Sequence, residues 1–213
     1  MVIEKTSNLS VLMLILTTTQ VNSSTISYYL DQSNALDDGI NYAQVTISDS
    51  TKTAGDIDFS IEVLSSAFTV NGSNFGMQSF SFNYDISLAL GASNIVDVEP
   101  DSWASSQGKS AGGGFGKFEF KLSGNGNSRT ELLNFSITGV TGDTINSYAM
   151  GSTLNPAATD FFAAHIAGFD TTNGETSAQF AGSTPAVPVP AAAWLFVSGL
   201  IGLTGFVRRK QSI

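Results

Sequence analysis

The 213-residue chain carries 18 acidic and 9 basic residues, one histidine and no cysteine, for a net charge of −9. The missing cysteine excludes disulfides, thiolate metal sites and thiol catalysis. Setting aside Glu4 and Lys5 at one end and Arg208, Arg209 and Lys210 at the other leaves 17 acids and 5 bases, a body near −12 that repels nucleic-acid backbones.

Residues 1–23 read as a secretory signal peptide. Lys5 supplies the basic start, Leu9–Leu16 the short apolar run, and Val21 and Ser23 the small or aliphatic residues before a cut at Ser24. A buried N-terminal helix is the competing reading. Between residues 24 and 182 the pattern alternates apolar and polar with period two. Ile26, Tyr28 and Leu30 begin it, and Ala43, Val45 and Ile47 continue it. Ile57, Phe59, Ile61 and Val63 face away from Asp58, Ser60 and Glu62. Further alternating sets are Phe80 to Ile86, Phe118 to Leu122, and Leu133 to Ile137, with two more strands near 161–168 and 176–181. Turn pairs such as Asn71-Gly72 and Asn173-Gly174 punctuate them.

Strict alternation means one buried and one wet face, as in antiparallel sheets. Eight to ten such strands predict an all-β fold, a single antiparallel β-sandwich of jelly-roll-like type, with a closed barrel as the alternative. The segment Asn94–Gly116 breaks the pattern and reads as a long Gly/Ser-rich loop. A short helix or lid is expected within 150–160. Residues 183–190 form a Pro-rich linker, 191–207 a charge-free apolar run, and 208–213 a basic tail. Seventeen helical residues span roughly 26 Å, enough for a bilayer core, and Arg208, Arg209 and Lys210 hold that end on the cytoplasmic side.

Candidate chemistry is sparse. His165, in Phe161-Phe-Ala-Ala-His-Ile-Ala-Gly168, points away from the core if Phe162, Ala164 and Ile166 face it, and no catalytic partner can be placed beside it. No catalytic residue is therefore assigned, and the chain reads as a non-enzyme. Asp97, Glu99 and Asp101 place hard oxygen ligands close together and are the candidate ligands for a structural Ca²⁺, ahead of Asp37 with Asp38 and Asp56 with Asp58. No other cofactor is expected. Trp103, beside that acidic run, is a candidate glycan contact, against the alternative of a tryptophan capping one end of the sandwich.

The tail carries a resemblance. Val187-Pro188-Val189-Pro190-Ala191, then an apolar helix, then Arg208-Arg209-Lys210, resembles the PEP-CTERM sorting signal in its Val-Pro-x-Pro-Ala variant; Val189 stands where the parent motif has Glu. The segment Phe162-Ala-Ala-His-Ile with Gly174-Glu175-Thr176-Ser177 also resembles the closing strands of other PEP-CTERM ectodomains. The resemblance implies a Gram-negative exported protein held first at the inner membrane. Its tail would be removed by an exosortase, a membrane-embedded cysteine protease. It also implies delivery to the cell surface or extracellular matrix and a structural or adhesive role with exopolysaccharide in biofilm. A carbohydrate-binding module, and a plain single-pass anchor that is never processed, are the alternatives.

Overall fold

In the computed structural model the described residues are 23–112, 114–151, 153–154 and 159–186, of which 108–112 are described by backbone alone. The strands in chain order are β1 (Thr25–Leu30), β2 (Gln32–Ser33), β3 (Ala43–Asp49), β4 (Ile57–Val63), β5 (Thr69–Val70), β6 (Gly76–Phe82) and β7 (Ile95–Glu99). They continue with β8 (Ala104–Gly112), β9 (Gly116–Ser123), β10 (Leu132–Ile137), β11 (Phe162–Ala167), β12 (Phe169–Asp170), β13 (Ser177–Gly182) and β14 (Thr184–Pro185). Sheet A has the order β14-β1-β3-β4-β10-β7, sheet B the order β2-β13-β11-β6-β9-β8, and β5 and β12 make a two-stranded ribbon. Every pairing is antiparallel. Both large sheets are open, so the fold is sandwich-like rather than a closed barrel.

The inner faces of the two sheets share one core because their alternating positions are large and apolar. Val45, Ile47, Phe59, Ile61, Leu133, Phe135 and Ile137 come from sheet A; Phe80, Phe82, Phe120, Leu122, Phe162, Ile166 and Phe180 come from sheet B. Phe59 sits at the centre. It stacks on Phe135 (centroids 4.6 Å, planes 12° apart), meets Phe82 across the layers at 5.4 Å, and takes Tyr148 edge-on at 5.6 Å. Burying each such ring contributes about 2–3 kcal/mol, with up to about 1.5 more from a well-set aromatic pair.

The chain passes from sheet B to sheet A at Gly182, with Ser183 alone between β13 and β14. A side chain at Gly182 would put its Cβ 2.2 Å from the Tyr29 carbonyl oxygen, so the crossing beside β1 needs glycine. β14 then pairs with β1, and Ala186 N–H donates to Ser27 O at 2.8 Å. At the same end Ser24 N–H donates to the Asp49 carboxylate at 2.9 Å. The two ends of the described body therefore leave side by side.

Four expectations need correction. Asn94–Gly116 is largely strand: β7 and β8 occupy most of it, joined by a turn containing a cis Glu99–Pro100 bond. Its Gly and Ser content concealed the pairing because small polar residues on an edge strand give no apolar period. The strand from Phe80 ends at Phe82, and although Tyr84 still packs in the core, Ile86 is 61% exposed. Glu119, expected on a wet face, is buried, its Oε1 accepting from Thr153 N–H (2.8 Å) and Oγ1 (2.6 Å). Phe118 leaves the face of Phe120 and Leu122 and packs on the outward alanines Ala163 and Ala181 with Phe115. There β8 loses register with β9 between Gln107 and Ser110, and β8 also approaches β11 and β13, so the tip of the β8–β9 hairpin bends over sheet B.

The expected signal peptide (1–23, apart from Ser23), the sorting motif and apolar run of 187–207, and the basic tail lie outside the described residues, as does most of the expected 150–160 helix. Among the described residues no helix is long and apolar enough to cross a membrane.

Candidate functional site

The outward faces of β3, β4 and β10 carry short polar side chains because the period that turns Val45, Phe59 and Phe135 inward must turn their neighbours out. Register brings Thr46 opposite Ser60, Ser48 opposite Asp58, Asp58 opposite Ser136, and Ser60 opposite Asn134. These residues form the floor of an open cleft of about 530 Å³. Its far wall is the edge strand β7 and the turn after it, supplying Asp97, Val98, Glu99 and Asp101; Lys52, from the β3–β4 turn, stands at the other side. Phe59 and Phe135 also line it, but both rings are buried in the core, so what they present to the cleft is mainly backbone.

The wall rises because β7 pairs irregularly with β10. Between Asn134 and Ser136 the register shifts so that three steps on β7 match two on β10. Asp97 lies in this bulge with φ of 52°, and among the described residues it is the one non-glycine residue with positive φ. Aspartate tolerates that conformation better than most side chains, and bulges of this kind re-aim side chains at sheet edges. Within the cleft, Ser136 Oγ donates to Asp58 Oδ1 at 2.7 Å, fixing that carboxylate against the floor.

Asp97, Glu99 and Asp101 are thus brought to one wall, joined by Asp58 from β4. Among the described residues, however, no group of three or more His, Asp or Glu side chains is close enough to hold a metal ion. Asp37, Asp38 and Asp56 stay in turns elsewhere; Asp38 accepts from Ser33 N–H at 2.9 Å. What the cleft offers is a row of carboxylates, hydroxyls and one amide, groups that hydrogen-bond to vicinal hydroxyls.

Trp103 is not a sugar platform. The ring is only 4% exposed, and its Nε1–H donates to Ser128 O at 2.8 Å, pinning the 124–131 loop to the body. A buried indole has no open face on which a pyranose can stack. The capping alternative describes it better.

His165 does face outward on β11, between Ser79 of β6 and Gln179 of β13. Turned so that its nitrogen faces His165, the Gln78 amide donates to Nδ1 at 2.8 Å while its oxygen accepts from Arg129 Nε (3.1 Å) and Nη2 (3.2 Å), an orientation that satisfies both neighbours. Gln78 can reach both because β6 bulges there, placing Gln78 and Ser79 together opposite His165. Partial burial, then the Arg129 and Lys121 charges, hold the imidazole below its usual 6.5. A proton on Nδ1 would also break the Gln78 bond. Folding therefore favours the neutral ring. Its contribution to stability is complete above pH 6.5 and is lost as pH falls through the lowered folded-state value. Because the chain has one histidine, its imidazole NMR titration reads this directly. The expected midpoint lies below 6.5 and moves up in Arg129→Gln; an unshifted midpoint contradicts the Arg129–Gln78–His165 relay.

Sequence reasoning missed the cleft floor. Thr46, Ser48, Ser60, Asn134 and Ser136 were visible as wet-face positions, but only strand register makes them neighbours. No family model matches the chain, and neither curated proteins nor solved structures give a match. The reading of the site rests on its own chemistry.

Proposed function

We propose that this chain is an exported surface or matrix protein whose jelly-roll-like β-sandwich binds neutral or amino sugars of an extracellular polysaccharide in the sheet A cleft. The observation that carries the reading is the cleft: four carboxylates, four hydroxyl side chains of the floor strands and Asn134 along one open face. Carboxylates pair well with adjacent sugar hydroxyls, and a cleft open along a sheet admits a chain rather than a small molecule. With no aromatic face, affinity per sugar is modest, on the order of 1 mM for a short oligomer. Replacing Glu99 with Gln and Asn134 with Ala together is expected to weaken binding at least tenfold in calorimetry without lowering Tm; unchanged affinity contradicts the assignment.

The sorting half of the proposal rests on the Val187–Ala191 resemblance and on Arg208, Arg209 and Lys210. Because β14 leaves beside the start of β1, the anchor would hold the same end of the body from which the signal peptide is cut. An exosortase-type protease would cut near Val187–Ala191, between an inner-membrane intermediate and the released surface form. Mass spectrometry of the mature protein in its host tests this. A mature form ending near residue 190 is expected, whereas one ending at Ile213 supports an unprocessed anchor. Because Asp97, Glu99 and Asp101 form no group of three close enough to hold a metal ion, no Ca²⁺ enters this proposal.

Glycoside hydrolysis is a second reading, favoured by carboxylates from two strands, Asp58 of β4 and the acids of β7 and its turn, lining one cleft. It requires an acid and a base on opposite sides of the bound bond. Release of reducing ends from the host polysaccharide, lost in Asp58→Asn, supports it; binding without release supports the non-catalytic reading.

A further inference from the structure

The body has five basic residues, and sheet B gathers two of them on its outer face. Lys121 projects outward between the core residues Phe120 and Leu122 and lies opposite Ser81 of β6. Arg129 reaches over the same face from the 124–131 loop. It is held there by neutral partners: Nη1 donates to Asn74 O at 2.7 Å, while Nε and Nη2 donate to the Gln78 amide. The loop itself is fixed by Trp103 Nε1–H on Ser128 O and by Gly124 N–H on Gln78 O at 3.1 Å. A guanidinium placed this way has spent little on counter-charge and loses little freedom on meeting an anion.

His165 stands between the two cations. With Nδ1 accepting from Gln78, the neutral ring carries its proton on Nε2 and presents a donor. Along the strands of this face, β6, β11 and β13 contain no acid at all, and the one acid of β9, Glu119, is buried against Thr153. In a body near −12, three strands without an acid and a fourth whose one acid is buried leave Lys121 and Arg129 with no exposed strand carboxylate on this face. Gln179, Ser79 and Gln78 surround the two cations with neutral donors and acceptors, all half-buried.

We propose that this patch, Arg129, Lys121 and His165 on the outer face of sheet B, binds the carboxylate of an acidic saccharide, with Gln78, Ser79 and Gln179 meeting the sugar hydroxyls. One carboxylate satisfies two cations and an N–H; a polyphosphate would bring a charge density that the surrounding acidic body opposes. The site is separate from the sheet A cleft, so the two readings fail independently.

The single imidazole is the reporter. The full chain is titrated with trigalacturonate, acetate and maltotriose while the His165 ring signals are followed by NMR. A saturable shift with trigalacturonate is expected, at least tenfold tighter than with acetate and absent with maltotriose. Lys121→Gln, which leaves the Gln78 relay intact, is expected to weaken it at least threefold, and Arg129→Gln at least tenfold. No shift, an equal shift with maltotriose, equal affinity for acetate, or an unchanged affinity in Lys121→Gln overturns the proposal. The double variant Glu99→Gln/Asn134→Ala in the cleft should leave this titration unchanged.

Discussion

Phe59→Ala is expected to destabilise the fold by roughly 3–5 kcal/mol, the range for emptying a buried phenylalanine site. The ring is 2% exposed and touches both layers: Phe135 of its own sheet, Phe82 of the other, and Tyr148 from the short 3-10 turn Ile145–Tyr148. Its neighbours are themselves rigid rings stacked on one another, Phe82 on Phe120 at 5.5 Å and on Phe135 at 5.8 Å, so they collapse poorly into a void. The loss should therefore lie toward the upper end. Phe59→Leu, which refills most of the volume, should cost less than half as much. Urea unfolding followed by tryptophan fluorescence checks both; equal losses for the two variants would mean that the stacked geometry, not the filled volume, dominates.

Gly168→Ala should do comparable damage at a place with no side chain to lose. Gly168 links β11 to β12 with φ of 89°, where an L-residue costs about 1–2 kcal/mol. An added Cβ would also lie 2.4 Å from Asn74 O and 2.8 Å from Phe75 Cα. These are backbone atoms, so relief needs movement of the 74–75 segment and adds about 1–3 kcal/mol more. Two bonds are at risk: Gly168 N–H to Thr176 O and Asn71 N–H to Gly168 O, both 2.9 Å. By contrast Gly142, with φ of 82° and nothing near its Cβ position, should lose only the conformational cost on conversion to alanine. A Tm drop at least twice as large for Gly168→Ala as for Gly142→Ala is the expected comparison.

These two positions show what was legible beforehand. Phe59 could be placed in the core from Ile57-Asp-Phe-Ser-Ile-Glu-Val alone, since period-two alternation fixes which face is hidden. The antiparallel class followed from the same pattern. Gly168 gave no comparable signal, because its role depends on a segment almost a hundred residues away. The cleft was half legible. Asp97, Glu99 and Asp101 stood out as acids, but the bulge that aligns them with Asp58 and Asn134 arises from a register shift that no local pattern encodes. Trp103 misled for a related reason: an aromatic beside acids reads as exposed until its indole is seen to reach Ser128. Glu119 and Phe118 were misassigned because alternation presumes a straight strand, and β9 bends where β6 stops pairing with it.

The proposed binding of a neutral saccharide chain in the sheet A cleft can be read residue by residue. Amide chemical-shift mapping on titration with short neutral oligosaccharides from the host polysaccharide tests it most directly. Saturable shifts clustered at Thr46, Ser60, Val98, Glu99 and Asn134 are expected, with sheet B unmoved. Shifts that fall elsewhere, or none at millimolar sugar, would contradict it.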